Sequence, residues 1–262
     1  MTTTGQQERV AMPWSLARRV VVGLVRPGGQ AMAARALEGA ELSDADRVVE
    51  LSPGLGLMTA SILERDPRTW TGVEPDPVAA EHLGRSADGR GQEVVSAPID
   101  ATGLEGGAAT VVVAEGVLSV LDEAGRAAVL GEAARLLRAG GRLALHELTA
   151  APEADPAALA ELAGFGIHAP SVARWRAGAE MAGLVPVGSL VGRLDMPVPR
   201  DLMRAAGPRT ALRLTREAAL DADTRVAATR VRQSLERNAL SVRSVVVIAE
   251  MPLVLGMRRP RR

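Results

Sequence analysis

The chain has 262 residues, 47% of them hydrophobic, with 31 basic and 31 acidic side chains. This fits one large domain, or a domain with a modest insertion, that buries a full core. Zero net charge gives no signature of a nucleic-acid or anionic-membrane binder, and the absence of cysteine and lysine excludes disulfides, thiolate catalysis, cysteine-ligated metals, Schiff-base chemistry and the lysine of a P-loop.

Residues 1–46 read as an N-terminal helical segment rich in arginine, broken at "RPGGQ" (26–30). The opening is polar, and "RRVVVGLV" is too short for a secretion signal, so a cytoplasmic location is expected. From residue 47 strand-like and helix-like stretches alternate. "RVVEL" is a short strand, "LMTASILER" a helix, "TWTGVEP" (69–75) a second strand and "DPVAAEHLGRS" a second helix with Pro77 in its first turn. "QEVVSAP" is a third strand, and "ATVVVAE" (109–115) a fourth, apolar enough to be buried on both faces. A helix over 122–141 with a Gly-Gly stop leads to a fifth strand, "RLALHEL". A helix at 171–184, a strand from 185, a helical arginine-rich stretch and a last strand at "SVRSVVVIAEMPL" complete the chain. The longest apolar run, 245–256, is interrupted by Glu250 and falls far short of a membrane span.

The predicted fold is α/β: a Rossmann-like, seven-stranded, mostly parallel sheet with helices on both faces and a helical insertion before the last strand. The parts are an N-terminal segment (1–46), an α/β core (47–196), a helical insertion that caps the core or contacts a second subunit (197–241), and a last strand with a basic tail (242–262). A homodimer through the insertion is one expectation.

Ligands of open α/β sheets lie beyond the carboxyl ends of the strands. The first strand ends in "ELSPGLGL", where Gly54 and Gly56 let the backbone turn tightly and approach a ligand, and the next helix aims its free N–H groups at that space. Glu74, at the end of the second strand, is placed to accept from both hydroxyls of a ribose. A dinucleotide fingerprint wants a third glycine at position 59, where this chain has Thr59. A tight turn without a ligand and a nicotinamide-dependent oxidoreductase stay open at this point. No tyrosine or lysine is present for a short-chain-dehydrogenase pair.

The stretch Glu50-Leu51-Ser52-Pro53-Gly54-Leu55-Gly56 resembles the acidic-x-Gly-x-Gly-x-Gly motif of class I S-adenosylmethionine-dependent methyltransferases. "GVEPDP" resembles their second acidic site, and "GEAARLLRAGGRLALHEL" is similar to their leader into the fifth strand. More narrowly, the chain resembles uncharacterised small-molecule members with a Pro-Gly-Leu-Gly loop. The resemblance implies S-adenosylmethionine as cofactor, with Glu50 near its amino-acid end, Ser52, Gly54 and Gly56 along its methionine and ribose parts, and Glu74 and Pro75 at the ribose. It further implies Ile99 against the adenine, Asp100 near the exocyclic amine, and Glu115 toward the sulfonium and the acceptor. Ser52 replaces the family's first glycine, and the Pro53 that follows predicts an extended Ser52. The family's Gly-Asp-Ala before the adenine site is absent, and Pro98 has no N–H to donate.

The implied reaction is methyl transfer to the oxygen or nitrogen of a small acceptor, driven by alignment and exclusion of water. A non-catalytic binding partner of the same fold is the alternative. Candidate acceptor-side groups are Glu115, His146 at the end of the fifth strand, and His168 in the loop "GFGIHAPSV". A structural role for His146, bonded to a neighbouring carbonyl, is the competing reading. Three histidines this scattered give no metal site. The eight arginines between residues 204 and 237 form a solvated helix face or attract an anionic acceptor.

Overall fold

In the computed structural model, residues 27–54, 56–87, 89–195 and 222–253 are described. Residues 1–26 and 196–221 and the basic tail from 254, with the expectations placed on them, lie outside. Chain order is α1 (Gly29–Gly39), β1 (Arg47–Leu51), α2 (Leu57–Leu63), β2 (Thr69–Val73), α3 (Pro77–Ser86), β3 (Gln92–Val95), β4 (Ala109–Glu115), a 3-10 turn (Leu118–Val120), α4 (Glu123–Leu136), β5 (Leu137–Ala150), α5 (Pro156–Gly164), α6 (Val172–Met181), β6 (Val185–Arg193), α7 (Ala222–Arg237) and β7 (Val242–Glu250). The strands form one sheet in the order β3-β2-β1-β4-β5-β7-β6. Pairings β1–β2, β1–β4, β2–β3 and β4–β5 are parallel, and β7 runs antiparallel to both β5 and β6. The predicted Rossmann-like, seven-stranded, mostly parallel sheet is therefore present.

Alternation along the central strands sends side chains to two cores. Val112, Ala114, Leu143, Leu145 and Val247 pack with Leu130, Ala133 and Trp175 of α4 and α6. On the opposite face Val48, Val111, Val113, Ala144 and Val246 pack with Met32, Ala36, Leu37, Met58 and Ile62 of α1 and α2. A third cluster joins Leu148 and Val242 to Leu162 of α5 and to Val231 and Leu235 of α7. Among the described residues no helix is long and apolar enough to cross a membrane.

Three boundaries differ from the sequence reading. The helix begun at Glu123 stops at Leu136, before the Gly-Gly pair, because Leu137 already pairs with Ala109. The register then shifts and resumes at Val111 with Arg142, so residues between loop out as a bulge. A Cβ on Gly141 would meet the carbonyl oxygens of Arg138 and Thr110 at 2.9 and 3.0 Å, which is why glycine stands there. Helix α5 was not expected, although its start is written in Asp155-Pro156: the Asp155 side chain accepts from Ala157 N, and Pro156 occupies the first turn. Strand β2 ends at Val73, one residue before Glu74.

Candidate functional site

The exit of β1 is a strained corner. Ser52, Gly54 and Gly56 all have left-handed backbone, with φ of 65°, 58° and 76°. Two of the three are glycines, for which this region is ordinary. Ser52 is not extended, contrary to expectation; its left-handed conformation costs on the order of 1–2 kcal/mol for a residue with a Cβ. It is held there by a hydrogen bond from Ser52 N to Val73 O at 2.8 Å. Its hydroxyl is buried and, among the described residues, has no hydrogen-bond partner.

Glu74 clamps the corner. It is buried, Oε2 accepts from Gly54 N at 2.9 Å, and Oε1 accepts from Asp76 N at 3.0 Å. Glu50 is also buried, but its Oε2 accepts from Thr59 Oγ1 at 2.8 Å and from the Trp70 indole N–H at 2.9 Å. Both donors anchor it beneath α2. Thr59 therefore fills the position of the missing third glycine with a hydroxyl that satisfies a buried acid. Position 72 must be glycine for the same reason of space: a Cβ there would lie 2.7 Å from the Trp70 ring and 3.2 Å from Pro53. Thr59, Trp70 and Gly72 were not singled out from sequence as parts of the site, although the coincidence of Thr59 with the third glycine position was the available signal.

Next to this corner, Pro75, Ser96, Ala97, Pro98, Ile99, Asp100, Leu121, Gly125 and Val129 line a cleft of about 400 Å³. Pro75, Ile99 and Asp100 thus meet in one place, Ile99 buried and Asp100 exposed. The segment behind them is stapled to α4: Glu132 accepts from Thr102 N and Oγ1, and Arg135 bridges Glu132 to the Leu104 carbonyl. The Arg135 hydrogen bond, aided by those from Thr102, holds the Glu132 carboxyl down to about 2.

The β4 and β5 exits carry the remaining candidates on two faces. On the α1 face, Glu115 and His146 pair across the strands, with Nδ1 to Oε1 at 2.8 Å. His146 is fully enclosed, and its Nε2 contacts the Pro27 carbonyl oxygen and Ser244 Oγ. On the other face, Glu147 is fully buried and accepts from Leu118 N, Ser119 N and Ser119 Oγ at 2.6–3.0 Å. Burial nonetheless raises it to about 7. Ser119 O in turn accepts from His168 N at 2.7 Å. His168 is partly exposed, and burial followed by the nearby Arg126 charge lowers its pKa below the usual histidine value. No hydrogen bond joins His168 to the Glu115–His146 pair among the described residues, so the three expected acceptor-side groups are two separate sets.

Residues 49–145 match the family model of a methyltransferase domain. That segment is similar to a methyltransferase domain. The matched segment runs from β1 into β5 and so contains the strained corner, Glu74, the cleft and Glu115, while His146 and His168 lie beyond it. Among similar solved structures are geranyl diphosphate methyltransferases determined with S-adenosylmethionine or S-adenosylhomocysteine bound. Similar solved structures include the [4+2]-cyclase SpnF (13% identity, TM-score 0.68, covering 92% of this chain and 94% of that one). Geranyl diphosphate C-methyltransferase from Streptomyces coelicolor A3(2), solved with Mg2+, geranyl diphosphate and S-adenosylhomocysteine, is another (16%, 0.59, 84% and 78%). The MccD protein is a third (11%, 0.64, 86% and 98%). At these identities the likeness is one of fold. The search of curated proteins finds no match.

Proposed function

We propose that the protein transfers a methyl group from S-adenosylmethionine to an oxygen or nitrogen of a small molecule. The observation that carries this reading is Ser52. A buried, unpartnered hydroxyl on a left-handed residue, inside a corner clamped by Glu74, is a strained polar cradle of the kind that persists where a ligand is bound. The cofactor fits the residues present. Ser52, Gly54 and Gly56 would hold its methionine and ribose parts and Glu74 its ribose hydroxyls. Pro75 and Ile99 would cover the adenine, with Asp100 at its amino group. Glu50 shapes the floor through Thr59 and Trp70, and Glu115 faces the sulfonium side.

When bound, the cofactor supplies an electrophilic methyl group on sulfur. The chain's own contribution is alignment and desolvation, which together are worth roughly 7–11 kcal/mol of barrier in well-oriented systems. Glu147 fixes the Leu118–Ser119 turn on the acceptor side, and that turn carries His168. His168, biased toward its neutral form and partly open to solvent, is the better of the two histidines to accept a proton from an acceptor O–H or N–H. Arg126, whose charge is felt at His168, and Arg174 near it favour an anionic acceptor.

The test is formation of S-adenosylhomocysteine from S-adenosylmethionine across a panel of small alcohols, phenols, amines and carboxylates. Turnover on at least one acceptor is expected. Binding of NAD with no affinity for S-adenosylmethionine would overturn the proposal.

A further inference from the structure

Arg126 and Arg174 also close a groove of their own, away from the cofactor cleft. Helix α4 presents two sides. Gly125 and Val129, one turn apart, line the cleft beside Ile99 and Asp100. Glu123, Arg126 and Leu130 lie around the helix from them and line a second cavity, of about 290 Å³, between α4 and α6. The two cavities share no lining residue. This second groove is charged at one end and apolar at the other. Arg126 and Arg174 stand near the starts of α4 and α6, while Leu130, Gly178 and Met181 lie further along the helices. Met181 is apolar yet 86% exposed. A Cβ on Gly178 would reach Leu130 Cδ1 at 3.1 Å, so glycine keeps the floor hollow.

The charged end is built in advance of any ligand. Arg126 donates to the Leu121 carbonyl, and its guanidinium carbon lies 6.0 Å from the centre of the Trp175 ring. The indole is fixed in turn, donating to Leu148 O at 2.9 Å. Among the described residues, that single hydrogen bond is all the Arg126 side chain makes, and neither Arg126 nor Arg174 has an ion-pair partner. A guanidinium carries a fork of donors matched to a carboxylate, and most of this one is unused. Burial lowers the Arg126 pKa, with Glu123 and Asp122 opposing it and Arg174 adding to it, so the cation is short of compensation where it stands. Two arginines against one acid, Glu123, leave the groove a surplus of one positive charge, which matches a monoanion.

We infer that the α4–α6 groove is a second ligand site, distinct from the cofactor cleft, which takes a small carboxylate bearing an apolar chain. Arg126 and Arg174 grip the carboxylate, and the chain lies along Leu130, Gly178 and Met181. A carboxylate alone would leave the apolar end wet, and a neutral chain alone would leave the arginines uncompensated, so the site discriminates against both.

The experiment is calorimetric titration of octanoate into wild-type protein, with and without saturating S-adenosylhomocysteine, alongside acetate and octanol. Saturable one-site binding of octanoate is expected with a Kd below about 1 mM, and acetate and octanol should each bind at least about tenfold more weakly. Arg174→Gln and Ala177→Phe, both at exposed positions of α6 that line the groove, should each weaken octanoate by at least about tenfold. In nitrogen–proton spectra of wild-type protein the Trp175 indole resonance should move on titration, while that of Trp70, bonded to Glu50 on the other face of the sheet, should not. Absence of saturable binding overturns the inference, as do undiminished binding in either variant, a Trp175 resonance that stays put, and displacement of octanoate by S-adenosylhomocysteine. A dimer lost in Ala177→Phe, with no octanoate bound by wild type, would assign the groove to a second copy of the chain and likewise overturn it. Because octanoate is titrated without cofactor as well, failure of the proposed function leaves this result standing.

Discussion

Glu50, near the end of β1, is a buried acid held by donors from two other elements. It sits under α2, and each donor it uses belongs to a different element: Thr59 to α2 and Trp70 to β2. Loss of one donor leaves a buried carboxylate short of a partner, which costs about 1–3 kcal/mol. Thr59→Val should therefore lower unfolding free energy by that amount in urea titration, with a smaller loss for Thr59→Ser, which keeps the hydroxyl. A second residue-scale expectation concerns Gly56, at φ 76° with Leu83 Cδ2 only 3.3 Å from where a Cβ would stand. Gly56→Ala should cost about 1–2 kcal/mol from backbone strain and weaken S-adenosylhomocysteine binding, both measurable on the same preparation. Sequence could name Glu50, Gly54, Gly56 and Glu74 because their spacing is a property of the chain. It could not show that Thr59 and Trp70 hold Glu50, since that pairing depends on how α2 and β2 pack.

At the scale of elements, the turn between β4 and α4 is organised by Glu147. Its folded-state value, about 7, lies above the ordinary 4.5, so the native protein holds this proton where the unfolded chain has released it. The stability it contributes is full below about pH 4.5 and is lost as pH rises through about 7. Glu147→Gln should remove that slope: the stability gap between wild type and variant, followed by thermal melting, should be larger at pH 5 than at pH 8. A gap that widens with pH would show that the three donors from Leu118 and Ser119 outweigh the burial penalty. Legibility at this scale was uneven. The strands β1, β4 and β7 were readable because runs such as "RVVEL" and "ATVVVAE" are apolar, β-branched and bounded by polar residues. The end of α4 is not legible in the sequence, since Gly140-Gly141 looks like a helix stop and only the pairing of Leu137 with Ala109 shows it to be a bulge. The two faces of β5 were readable from alternation, but not that His146 would be enclosed, because its cover comes from Pro27 and Ser244, far away in sequence.

The whole molecule depends on the sheet holding two acidic corners and a cleft together beyond the carboxyl ends of its strands. Its acid sensitivity should be dominated by the Glu132 staple between the 99–104 segment and α4. The folded carboxyl titrates at about 2 against 4.5 unfolded, so its contribution is full above about pH 4.5 and disappears as pH falls toward 2; allowing for solvent screening of the half-exposed Arg135, it amounts to about 2 kcal/mol. Glu132→Gln should flatten the stability profile across that window, as read from melting temperatures. The same fold houses a [4+2]-cyclase in one neighbour and a C-methyltransferase in another, so the sheet alone does not dictate the acceptor. The claim on which the rest depends is that the left-handed corner at Ser52, Gly54 and Gly56 holds S-adenosylmethionine. Calorimetric titration of S-adenosylhomocysteine into wild-type and Gly54→Arg proteins tests it most directly. The account predicts saturable one-site binding to wild type and at least a hundredfold loss in a variant that keeps its circular dichroism spectrum; undiminished binding in a folded Gly54→Arg variant would contradict it.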